Sequence, residues 1–133
     1  MTSDTFANIR TALLGLTGLA CLAYALAALA LGRPDPVGWY WPASIGTAAG
    51  LLISLAAVMA GRARAGQATD DLYRHVHQRA ATQGYWLSLV TLALTGAAGA
   101  FGWIDWRTAF AAQGTLTGAG FLLSFVWLDL RHR

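Results

Sequence analysis

At 133 residues, 56% hydrophobic and 11% charged, the chain is too apolar for an ordinary soluble domain. It is also too short and too continuously apolar to build a closed membrane barrel. Nine arginines with no lysine, and six aspartates with no glutamate, leave a net charge of +3. Four long apolar segments fill most of the sequence, and none carries a carboxylate, lysine or histidine at its middle. That pattern predicts an all-α membrane protein, a single four-transmembrane-helix bundle, since about 20 apolar residues cross a hydrocarbon core as helix.

The first span is read as Ile9 to Leu31 (9–31). A cleaved signal peptide is the rival reading. The apolar run exceeds a signal core of about 7–15 residues, and the upstream charge is one arginine, Arg10, offset by Asp4. Cys21 lies inside this span and reads as a small apolar side chain. A short turn, Gly32-Arg33-Pro34-Asp35-Pro36, leads to the second span, Trp39 to Gly61 (39–61).

Residues 62–83 form the one substantial polar loop. Arg62 to Gln67 reads as a basic link, after which Thr69 is placed to cap a helix with Asp70 and Asp71 in its first turn. Asp70 with Arg74 and Asp71 with His75 are i, i+4 pairs of favourable sign. Leu72, Val76 and Ala80 make a thin apolar strip. The segment is expected to be a short amphipathic helix that lies at the headgroup surface and then runs into the third span, with Asp70, Asp71, Arg74 and Arg79 open to a partner or to anionic lipid.

The third span follows from Gly84 to Ile104 (84–104), and the fourth from Ala109 to Leu128 (109–128). Asp105 between them matches Asp35 in the first turn, and both read as turn residues or helix N-caps. Asp129 is expected to be solvated at the end of the fourth span, paired with Arg131 or Arg133.

Orientation comes from arginine. Arg10, Arg62, Arg64, Arg74, Arg79, Arg131 and Arg133 fall on one side, while Arg33 and Arg107 fall on the other, each beside an aspartate. The positive-inside rule puts both termini and the middle loop in the cytoplasm. Trp39, Tyr40, Trp41, Trp103 and Trp106 would then anchor the outer interface, with Tyr85, Trp86 and Trp127 at the inner one. This distribution explains the basic balance, so nucleic acid is not called for.

A shift of 70 residues lays the second half over the first. Ala27, Ala28, Ala30 and Gly32 meet Ala97, Ala98, Ala100 and Gly102, and Asp35 meets Asp105. Thr47, Ala49, Gly50, Leu52 and Ser54 meet Thr117, Ala119, Gly120, Leu122 and Ser124. The match predicts a duplicated helical hairpin with parallel repeats. Thr47, Gly50 and Ser54 share a helix face, as do Thr117, Gly120 and Ser124, and the spacings Gly46/Gly50 and Gly114/Gly118 lie in the same two helices. Such residues read as a seam between helices two and four or between copies, and secondarily as a narrow polar path.

His75 and His77 stand two apart and so do not share a helix face, and neither Cys nor Glu is near to complete a metal set. Haem needs axial ligands at membrane depth, where no histidine falls. No nucleophile with its base and no phosphate-cradling loop is recognisable, so neither a cofactor nor an enzyme is expected.

The run from Asp70 to Trp86 resembles a motif of small uncharacterised bacterial four-helix inner-membrane proteins, in which a D-E-R-like start leads to a small-Tyr-Trp entry into the third span. Asp70, Asp71, Arg74, Val76, Gly84, Tyr85 and Trp86 match, while Leu72 stands where that pattern has arginine. The resemblance implies a multi-pass protein of the bacterial inner (cytoplasmic) membrane, accompanied by a small helix-turn-helix regulator. The leading expectation is a non-enzymatic accessory, scaffold or tethering subunit. It would assemble with itself or with a membrane or cytoplasmic partner, surrounded by lipid. The alternative is a small transporter or channel for an uncharged or lipophilic solute along Thr47, Ser54, Thr117 and Ser124.

Overall fold

The computed structural model describes residues 2–38, 40–61, 63, 66 and 71–132, Asp71 by its backbone alone. Trp39, Arg62, Arg64, Thr69, Asp70 and Arg133, and the expectations placed on them, lie outside the described residues. Four α-helices account for nearly all of the rest: α1 (Ser3–Leu31), α2 (Tyr40–Ala60), α3 (Asp71–Ala100) and α4 (Trp106–Arg131).

Polar capping sets helix limits that hydropathy does not see. The Thr2 side chain accepts a hydrogen bond from the Thr5 N–H, and Asp4 sits in the first turn where the dipole favours a carboxylate. Helix α1 therefore starts at Ser3, well before the apolar run at Ile9. Asp105 caps α4, accepting from the Arg107 N–H at 3.0 Å. Asp35 does different work: the Tyr24 hydroxyl donates to its carboxylate at 3.4 Å and to the Pro34 carbonyl at 3.2 Å, holding the turn against α1.

The two hairpin turns close alike. Gly32 (φ 60°) and Gly102 (φ 73°) both occupy the left-handed region, which costs glycine nothing. The Arg33 N–H then donates back to the Ala28 carbonyl at 3.1 Å, and the Trp103 N–H to the Ala98 carbonyl at 2.9 Å. These back-bonds satisfy carbonyls that a helix end leaves open.

Side by side the helices run in the order α2, α1, α4, α3: α2 packs on α1, α1 on α4, and α4 on α3. The expected seam between the second and fourth helices is not among these contacts. Small residues set the real seams. Ala25 and Ala28 of α1 and Ala109, Ala112 and Ala119 of α4 are buried. A Cβ on Gly18 would come within 3.0 Å of Leu123, and one on Gly84 within 3.0 Å of the Phe121 Cα. Both glycines let neighbouring helices approach closely.

Helices α1, α2 and α4 are each long and apolar enough to cross a membrane. Helix α3 is not among them, because its first turns are charged and Ser88, Thr91 and Thr95 dilute the remainder. It absorbs both the amphipathic segment and the third apolar run without a break, so the expected surface-lying helix is instead the first part of one 30-residue rod. At 1.5 Å per residue that rod is about 45 Å long, against a hydrocarbon core of about 30 Å. Val76 and Ala80 from the expected apolar strip bury against Phe125 and Leu128 of α4, while Leu72 stays exposed.

Glycine substitution separates the real seam from the expected one. Gly84→Ala meets backbone and is expected to cost about 1–3 kcal/mol. Gly50→Ala meets nothing within 4 Å and should be neutral or stabilising by up to about 1 kcal/mol. Unfolding of the purified protein in mixed micelles measures both; equal effects would contradict the assigned seam.

Candidate functional site

The two turns mark one end of the molecule, and the starts of α1 and α3 with the ends of α2 and α4 mark the other, terminal end. At this terminal end three helices converge on a buried charge. The Asp129 carboxylate, in the last turns of α4, points inward rather than to solvent. It accepts a 2.6 Å hydrogen bond from the Thr11 hydroxyl and pairs with the Arg10 guanidinium at 3.8 Å. Arg10, Thr11 and Asp129 are all buried. This corrects the expected solvated setting of Asp129, whose expected partner Arg133 lies outside the described residues. Arg10 and Thr11 lie adjacent on α1, so one helix supplies both partners of the carboxylate.

Helix α3 joins through its tyrosine. The Arg10 guanidinium lies 4.2 Å from the Tyr73 ring centroid, close enough for a cation–π contact. Tyr73 meets Phe125 edge-on at 5.5 Å, and His77 meets Phe121 edge-on at 5.4 Å. Val76, Ala80, Phe125 and Leu128 are buried as one apolar cluster, with Leu14 and Tyr73 against it. Phe6 of α1 packs separately on Ala56 and Ala60 of α2.

The back of the start of α3 is thus fixed, and its front is open. Arg74, His75, Gln78 and Arg79 are exposed. Arg74 and Arg79 therefore stand where the sequence puts a contact surface; Asp71 opens the same helix, and Asp70 lies outside the described residues. His75 and His77 are exposed too, the His77 ring lying against Tyr73, Phe121 and Phe125.

A second polar cluster ties α3 to α4 deeper along the bundle. Gln113 Nε2 donates to the Ser88 carbonyl at 3.0 Å, and Ser88 and Thr117 share a 2.9 Å hydroxyl bond. The Thr95 hydroxyl donates to Gln113 Oε1 at 3.4 Å. Gln113 and Ser88 were not singled out by sequence, because the search for charge in the spans passes over a neutral amide.

The expected packing or path residues are dispersed. Thr47, Gly50 and Ser54 are exposed on α2, with the Ser54 hydroxyl bonded back to the Gly50 carbonyl at 2.9 Å. A Cβ on Gly50 or Gly114 would meet nothing within 4 Å, whereas Gly46 and Gly118 face Thr17 and Cys21 at 4.0 and 3.9 Å. Thr117 and Gly120 serve the α3–α4 seam, Gly120 facing Leu87 at 3.6 Å. Ser124 is half-buried on α4. The two sets of hydroxyls thus stand on helices that are not packing neighbours.

No family model, curated protein or solved structure matches this chain.

Breaking the ion pair from one side strands a buried charge. Arg10→Leu is expected to destabilise the protein by about 3–5 kcal/mol, and Arg10→Leu with Asp129→Leu to restore most of that loss. Gln113→Leu should cost less, about 0.6–2 kcal/mol. Unfolding in mixed micelles is the measurement. Additive losses in the double variant would mean that Arg10 and Asp129 act independently.

Proposed function

We propose that the protein is a non-enzymatic accessory or tethering subunit of the bacterial inner membrane that presents the start of α3 to another protein. In this reading α3 also crosses the membrane as the third of four spans, both termini are cytoplasmic, and the two hairpins descend from one duplicated unit. The matched closures at Gly32 and Gly102 support the duplication. The arginine distribution supports the orientation, and the Asp70 to Trp86 motif supports the family resemblance.

The observation that carries the functional reading is the asymmetry of the start of α3. Val76 and Ala80 bury one side against α4, and Tyr73 is held under Arg10. The opposite side offers Arg74, His75, Gln78 and Arg79 to solvent. A charged face on a braced helix loses little entropy on binding, which suits recognition of a partner.

Native mass spectrometry after gentle extraction from the host membrane tests this. A second polypeptide at fixed stoichiometry is expected. The triple variant Asp71→Ala, Arg74→Ala, Arg79→Ala should lower its retention about tenfold, equivalent to about 1.4 kcal/mol, without changing the melting temperature. Retention at the wild-type level would refute the surface assignment.

A further inference from the structure

Away from α3, the seam of α1 and α4 carries an open groove of about 420 Å³. Ala12, Gly15 and Leu19 of α1 and Val126 and Leu130 of α4 line it. Gly15 sets its depth, since even a Cβ there would lie 3.5 Å from Val126. Among the described residues its polar lining is at one end, where Asn8 and Thr11 stand.

The groove's length and polarity select an occupant. From Asn8 to Leu19 the helix rises about 16 Å, and a single leaflet contributes about 15 Å of hydrocarbon. The groove therefore starts at the interface of the terminal end and stops near the midplane. A transmembrane helix of a second copy would run through both leaflets, so a half-depth groove fits it poorly. Arg131 and His132 follow Leu130 directly and are exposed, placing positive charge at the polar end.

We propose that this groove seats one acyl chain of an anionic phospholipid from the leaflet at the terminal end, with its phosphate beside Asn8 and Arg131. The chain would cover apolar walls on both α1 and α4. Thr11, at the polar end, hydrogen-bonds to Asp129, so the lipid would sit against the same contact that joins the two helices. This site is independent of the exposed face of α3 and stands or falls separately from the partner reading.

The test uses the full-length protein in detergent, equilibrated with equal amounts of phosphatidylglycerol and phosphatidylcholine of identical chains, and read by native mass spectrometry. One phosphatidylglycerol per protein is expected in preference to phosphatidylcholine. Ala12→Leu and Gly15→Leu fill the groove and should lower that retention about tenfold, the equivalent of about two buried methylenes. Ala12 is exposed, so its variant keeps the test decisive if Gly15→Leu fails to fold. Arg131→Gln should retain lipid but lose the preference for the anionic headgroup. Wild-type retention in Ala12→Leu, or equal retention of the two lipids by the unmodified protein, would overturn the proposal. So would a dimer that Ala12→Leu abolishes, since a second copy would then occupy the groove.

Discussion

A carboxylate buried among helices must be met by donors, and in this protein that requirement organises one whole end of the fold. Asp129 is met by the Thr11 hydroxyl and the Arg10 guanidinium, both from α1. Arg10 in turn lies over Tyr73 of α3. Three helices are thereby specified against one another by a single charge. Nonspecific apolar packing would not do this in a bilayer, where lipid tails are as apolar as leucine. A buried pair of this kind need not add net stability, because desolvation offsets much of the attraction. What it supplies is registry, since a shift of either helix would strand a charge.

The opposite end is held by backbone geometry. Gly32 and Gly102 terminate their helices in the left-handed region, and the bonds to Ala28 and Ala98 close both turns. Between the ends, close approach at Gly18 and Gly84 and the Gln113–Ser88–Thr117 cluster fix the α1–α4 and α3–α4 seams. Helix α2 is attached through α1. The start of α3 is thereby braced by α4 and by Arg10.

Much of this was legible in the sequence, for identifiable reasons. The apolar runs locate all four helices, because the length needed to cross a bilayer is a one-dimensional property. The N-cap of α4 at Asp105 was readable as turn chemistry. So was the start of α3, where acidic residues open a helix at Asp71. The extra turns at Ser3 were not, since hydropathy is blind to polar helix. Nor was the direction of Asp129, because an aspartate near arginines in sequence gives no sign that Arg10, at the other end of the chain, packs against it. The glycines that pack were missed for a related reason. A regular spacing such as Gly46/Gly50 is visible in one dimension, but whether a neighbour approaches depends on the order of the helices, which places α1 rather than α2 beside α4.

The central claim is that the Arg10–Asp129 contact holds the start of α3 in place. Hydrogen–deuterium exchange of the full-length protein in lipid nanodiscs measures it directly, comparing wild type with Arg10→Leu. The account predicts that the segment from Leu72 to Thr82 is protected in the wild type and loses that protection in the variant, while the turn at Gly102 is unchanged. Rapid exchange of the segment in the wild type, or protection unaltered by Arg10→Leu, would contradict it.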